Sequence, residues 1–459
     1  MKNKKFFLNF SGRFLLLTLL GFMVFNACKE NSSNQLRPIV PPDPNIETKF
    51  TTYYPDSGGV ASKLIVYGSN FGTDTSYIKV TVNDKNAKVI ASDGEAIYAI
   101  VPSRAGTGEV KVFIGKGDHI KEFAYDNEFR YTFRENVTTV CGQVKIPGTV
   151  DDADGEAAKL QRPWHVITDK DGILYFIDEG RGADKNGGLR KVVNGKVETI
   201  MRNQGIFKSP TGLAFNLTND TLFMVQALWN DNAMIVGDPV IVAFTRDEAF
   251  QVAKKYVNTG TYNEAFAIAV HPVTGELFYG SRIDGFIYRV DKSTSPAGYE
   301  KCVSVVGNGT EMRFAFSPNG EYLYVINKNK HNVYRVKYNF GMSDPTKVFD
   351  TPELFAGSGT AGYQDGIGVA AQFWEPSQGA CDNDGNLYVA DKKNHCIRMI
   401  TPSGHVTTFA GKGETAGYAD GSPLEAMFDS PECVTYSQFD DCWYVADREN
   451  HLIRKILVE

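Results

Sequence analysis

Apolar and polar residues alternate with a period of two along most of the chain, the pattern of strands buried on one face. In the N-terminal third the alternation falls on 64–67, 78–82, 96–101 and 109–114, with Gly58-Gly59, Asn83-Asp84 and Gly106-Thr107-Gly108 supplying turns. About 87 residues of short strands between Thr48 and Arg134 predict a small β-sandwich.

From Glu135 onward the pattern repeats. Segments 163–178, 210–225, 265–280, 313–327, 376–391 and 431–447 share one strand–turn–strand motif. The clearest copies are Asn386-Leu-Tyr-Val-Ala-Asp391-Lys-Lys-Asn394-His395-Cys-Ile397-Arg398 and Cys442-Trp-Tyr-Val-Ala-Asp447-Arg-Glu-Asn450-His451-Leu-Ile453-Arg454. A period of roughly 54 residues has room for four strands per copy, and repeats of this kind build stacked or radial folds. In the copy around Asp391 the strands are 379–382, 387–390, 397–400 and 406–410, with turns at Asn383-Asp384-Gly385 and Pro402-Ser403-Gly404. The chain ends on a third strand without a fourth. Segment 137–142 matches 406–411, and is expected to complete the last unit.

The first residues break the pattern. Lys2, Lys4, Lys5 and Arg13 precede an apolar run over 14–25, the length of a signal-peptide core and too short to span a bilayer. Phe25-Asn26-Ala27-Cys28 resembles a bacterial lipobox, which implies a leader over 1–27 and lipidation at Cys28, with the membrane as a partner through the acyl chains. Residues 28–47 then read as a tether, polar at first and stiffened by Pro38, Pro41, Pro42 and Pro44. No other run is long and apolar enough to cross a membrane. Composition adds one exclusion. Lys plus Arg total 48 against 54 Asp plus Glu, for a net charge of −6, so the basic footprint of a nucleic-acid binder is missing.

Two resemblances sharpen the architecture. Tyr54-Pro55-Asp56-Ser57-Gly58-Gly59, Gly68-Ser69-Asn70-Phe71-Gly72 and Val101-Pro102 resemble an IPT/TIG Ig-like domain over 48–134, a family whose members usually act as spacers or interaction modules. The Asp-x-x-Asn-His-x-Ile-Arg and Val-x-Thr-Phe-Ala-Gly signatures resemble NHL repeats, which implies a six-bladed β-propeller over 135–459, closed by the strand near 137–142. The expected fold class is all-β: a small Ig-like β-sandwich followed by that propeller. Lys29-Glu30-Asn31 after the lipid cysteine resembles the surface-export signal of Bacteroidota lipoproteins. The whole arrangement is similar to surface components of glycan-acquisition systems, and implies an outer-membrane, cell-surface location with outer-membrane transporters as possible partners.

Candidate chemistry is sparse. His331, His395 and His451 occupy equivalent places in successive repeats, a placement that suits a structural role better than a shared metal. Asp151-Asp152-Ala153-Asp154-Gly155 looks like part of a calcium loop but lacks the distal Glu, and Asp365 and Asp420 stand at matching places. Apart from Cys28, the six cysteines read as buried thiols, and no nucleophile motif stands out. The loop face of a propeller would carry Trp164, Phe207, Trp229, Tyr262, Tyr363, Phe373, Trp374 and Tyr418. Aromatic faces beside hydrogen-bonding groups suit sugar rings. The candidate ligand-binding set is therefore Trp164, His165, Arg181, Trp229, Asn230, Tyr262, Arg313, Tyr363, Trp374, Gln378, Tyr418 and Glu432, with an oligo- or polysaccharide as ligand and with no catalytic residue, metal or cofactor assigned. Two other readings compete. One is a propeller hydrolase, lactonase or lyase with calcium at the channel mouth, near His165, Arg313 and Glu432. The other is a protein-interaction scaffold of the outer membrane.

Overall fold

A computed structural model describes residues 39–458, apart from 61, 103, 134, 180–186, 203–208, 228–238 and 259–263. The chain forms two compact units that divide between Tyr131 and Thr132.

The first unit is a single eight-stranded antiparallel sheet apart from one short parallel edge strand. The strand Lys85–Ser92 pairs with both Ile78–Val82 and Ala96–Ile100, and so links the two halves. Alternation in the sequence becomes alternation in burial: Leu64, Val66, Val80, Ile97, Val110, Val112 and Phe129 point into one core. Phe50 stacks on Phe123 with ring centroids 4.7 Å apart.

The second unit is propeller-like. Four separate four-stranded blades begin at Pro163–Thr168, Pro210–Phe215, Ala265–Val270 and Met312–Phe316. The remaining strands form one nine-stranded sheet in place of two further separate blades. Its two halves start at Pro376–Cys381 and Pro431–Ser437, and they are joined by a single parallel pairing, Gln378 with Cys433. The expectation of six separate blades is corrected to that extent: at this point the first strands approach closely enough to share a ladder bond. Each first strand packs on the next, and Pro431–Ser437 packs back on Pro163–Thr168. At the seam, Glu135–Gly142 pairs antiparallel with Leu452–Val458, so the outermost strand of the last sheet comes from the start of the unit. Such a splice closes the ring by pairing the last strand with one from the start of the unit.

The first strands are also fastened by side chains. Thr211 Oγ1 donates to the Ala265 carbonyl (2.7 Å), Gln378 Nε2 to the Phe314 carbonyl (2.9 Å), and the Cys433 thiol lies 3.5 Å from the Val166 carbonyl.

Residues that recur between the repeats hold the blades. In three units a buried aspartate at the end of the second strand meets a buried arginine of the third, and that arginine reaches a second aspartate on an incoming loop. Arg190 stands 2.7 Å from Asp178 and 2.9 Å from Asp151; Arg398 stands 3.0 Å from Asp391 and 2.5 Å from Asp365; Arg454 stands 3.0 Å from Asp447 and 2.6 Å from Asp420. The calcium-like Asp151 is thus an ion-pair partner. The three repeat histidines serve the joints between units. His331, His395 and His451 all adopt positive φ, and their Nδ1 atoms accept the backbone N–H of Glu375 (3.0 Å), Ser430 (3.0 Å) and Arg162 (3.1 Å). Each of those acceptor-facing residues also has positive φ and leads into the next first strand. The ring nitrogen thereby pairs a backbone N–H in a conformation that costs a non-glycine residue energy.

Candidate functional site

The second residues of the first strands include Trp164, Thr211, Phe266, Arg313, Ser377 and Glu432. Because the strands run alike around a common centre, equivalent positions converge there. Just beyond the second strands stand Glu179, Arg282, Lys328, Lys392 and Arg448. Together they make a buried charged layer across one end of the ring.

Glu432 is its hub. The side chain is fully buried, 2.7 Å from Lys392 Nζ and 3.8 Å from both Arg313 and Arg448, and it accepts a 2.7 Å hydrogen bond from Ser377 Oγ. Burial alone would raise its pKa, but Lys392, Lys328, Arg448 and Arg313 outweigh it and hold the carboxyl well below its ordinary range. Glu311 behaves alike: burial opposes ionisation, while Arg313 and Lys328 (2.8 Å) bring its pKa down. Arg448 pairs with Glu179 at 2.6 Å, and Arg282 with Glu264 at 2.5 Å. The aromatic rings sit under these cations. Arg448 lies 5.2 Å and Arg313 5.9 Å from the centre of Trp164, and Arg313 lies 5.1 Å from that of Phe266, within range of cation–π attraction. Arg313 Nη2 is buried and makes no hydrogen bond among the described residues, with Glu311 and Glu432 each 3.8 Å away.

Of the residues singled out from the sequence, Trp164, Arg313 and Glu432 meet in this layer. His165 and Gln378 lie one residue further along their strands and line the central channel. Tyr363 and Tyr418 lie elsewhere. They cover Arg398 (5.0 Å) and Arg454 (4.9 Å), and their hydroxyls meet Thr408 (2.7 Å) and Thr139 (3.1 Å). Trp374 is 45% exposed, with its backbone N–H donated to Asp391. Phe373 is buried against Arg398. Arg181, Trp229, Asn230, Tyr262 and the lipidation candidate Cys28 lie outside the described residues, as does Phe207. Sequence reasoning missed Lys392, Arg448, Lys328 and Glu311. The signal for the first three was positional: each directly follows the last residue of a second strand. The six cysteines after residue 38 are free thiols, and no cluster of three metal-ligating side chains occurs among the described residues.

Comparison with known proteins places both units. Residues 49–131 match the IPT/TIG domain model. NHL repeat-containing protein 2 of Homo sapiens is 35% identical over 112 residues, which is 24% of this chain and 15% of the human protein's length. Two solved structures run nearly end to end with this chain. An auxiliary nutrient binding protein from Bacteroides ovatus is 28% identical, with a TM-score of 0.63, and the match covers 91% of this chain and 100% of that one. An auxiliary nutrient binding protein from Bacteroides thetaiotaomicron is 27% identical, with a TM-score of 0.60, over 91% and 99%. A third Bacteroides thetaiotaomicron structure, of unknown function, shares the fold at 23% identity and a TM-score of 0.69. An IPT/TIG unit followed by an NHL-like propeller is therefore the domain content of this chain.

Proposed function

We propose that this chain is a non-catalytic nutrient-binding lipoprotein of the bacterial cell surface, anchored in the outer membrane through Cys28, which holds an oligo- or polysaccharide on the loop face of the propeller. The observation that carries the reading is the nearly end-to-end likeness to two auxiliary nutrient binding proteins. In this reading the nine-stranded sheet counts as two blades fused at Gln378 and Cys433, and the ring has six. The IPT/TIG unit serves as a spacer above the tether.

The charged layer does not offer Glu432 as a general acid. A general acid needs a proton near neutral pH, and Glu432 is held ionised by the cations around it. Lys392 and Arg448 are in turn committed to carboxylates. Trp374 offers an exposed ring for stacking on a sugar, and Trp229, Asn230 and Tyr262 are retained from the sequence as further candidates for the same ligand. The test is retention of the purified chain in gels carrying different polysaccharides, beside a Trp229→Ala, Trp374→Ala double variant, with and without EDTA. Retention by one polysaccharide that survives EDTA and is lost in the variant is expected. EDTA-sensitive consumption of the polysaccharide would replace binding with catalysis.

A further inference from the structure

A cavity of about 300 Å³ occupies the centre of the ring. Its wall begins one residue past the charged layer, at His165, Phe314, Gln378 and Cys433. It ends among the turns after the first strands, at Pro272, Pro318, Asn383 and Gln438. Trp164, Arg313, Ser377 and Glu432 are not part of the wall, so the cavity lies on the far side of that layer from the loop face.

Apolar residues of the wall include Ile167, Leu213, Ile268 and Phe314, and the polar residues Ser317, Asp382, Asn383 and Gln438 stand toward the turns. His165 is a polar residue at the opposite end of the wall. It is 4% exposed, and among the described residues its ring nitrogens make no hydrogen bond. Burial, helped by the charge of Arg313, lowers its pKa to about 3, so the ring is neutral and offers one donor and one acceptor. A ligand in the cavity can therefore pair with a ring nitrogen that the protein leaves unengaged. Gln378 has its N–H groups committed to the carbonyls of Phe314 and Gly379, and so adds at most a second acceptor.

We propose that this cavity is a second binding site, separate from the loop face, for a small uncharged molecule made of one apolar ring bearing one hydroxyl. The ring would lie among the apolar side chains, and the hydroxyl would pair with His165. An ion would lose its hydration among the apolar side chains, since the carboxylate in the wall, Asp382, is already taken up by Asn386 and Tyr388, and a sugar would leave hydroxyls unpaired there. An apolar cavity of roughly 150 Å³ is enough for benzene, so a substituted single ring fits this one.

The probe is p-cresol, added to the full chain and followed by saturation-transfer NMR and calorimetry. Two variants accompany it: His165→Phe, which keeps a ring but removes the polar atoms, and Thr435→Trp, which plugs the wall near the turns. Saturable binding, weakened at least tenfold in both variants while Thr435→Trp leaves polysaccharide retention unchanged, is the expected result. Absence of saturable binding, meaning a channel that holds water only, overturns the proposal. So does binding that either folded variant leaves intact, with folding checked by the thermal transition. If His165→Phe does not fold, Thr435→Trp alone decides. No polysaccharide retention by the native chain, with p-cresol bound there and lost in the variants, would count against the loop-face reading and leave this one standing.

Discussion

Lys392 Nζ stands 2.7 Å from the Glu432 carboxylate, and both side chains are buried. One residue follows a second strand in one half of the nine-stranded sheet, and the other is the second residue of a first strand in the other half. The contact therefore ties the halves together at the point where three further cations also converge.

Removing the hub should show what those cations cost when left alone. Glu432→Gln keeps the shape and the Ser377 contact but strips the charge from a site shared by Lys392, Arg313 and Arg448. Breaking a buried pair from one side costs about 3–5 kcal/mol, and a loss of that size is expected in urea unfolding at pH 7. The pH dependence has a definite sign. The folded pKa of Glu432 lies below its ordinary 4.5, so its contribution is complete above about pH 4.5 and is lost as pH falls towards the folded value. The native chain should therefore lose more stability than Glu432→Gln on acidification below that point.

The degenerate blades suggest a second experiment. Asp391 pairs with Arg398, but the blade that starts at Pro210–Phe215 has Gln226 and Val242 at the corresponding places. Arg398→Met alone leaves Asp391 buried without its cation and should cost about 3–5 kcal/mol. The double variant Asp391→Gln, Arg398→Val copies the other blade, and should recover at least half of that loss. Equal destabilisation in the two would show that the pair is not a self-contained unit.

His395 is expected to act as a joint and to bind no metal. His395→Ala removes the acceptor for the Ser430 N–H, and should cost about 1–3 kcal/mol with no change in zinc or calcium content. Burial lowers the folded pKa of His395 from 6.5. Its share of stability is present above pH 6.5 and declines as pH falls below that value. The variant should show a shallower decline than the native chain in melts between pH 7 and pH 5.

Much of the architecture could be read from particular residues. The alternation at 78–82 and 109–114 reappears as paired strands of the first unit, and the Asp391–Arg398 and Asp447–Arg454 motifs reappear as buried ion pairs. The fusion at Gln378 and Cys433 could not be read, because a single bridge between first strands depends on how closely the ring packs and not on any local pattern. The site was legible only in part. Trp164 stands out in the sequence as a loop-face aromatic and Arg313 and Glu432 as polar groups near the channel mouth, and the structure places all three at equivalent strand positions. Tyr363 and Tyr418 shared the same loop signal, yet their rings are spent on covering Arg398 and Arg454. Composition alone cannot distinguish a ring that covers an arginine from one that offers its face to a ligand.

The most direct test of the account is quantitative retention of the purified chain in polysaccharide-bearing gels with EDTA present. The account predicts slowed migration with at least one polysaccharide, abolished in the Trp229→Ala, Trp374→Ala variant, with the polysaccharide recovered intact. Unretarded migration across a broad panel, or cleavage of the polysaccharide, would contradict it.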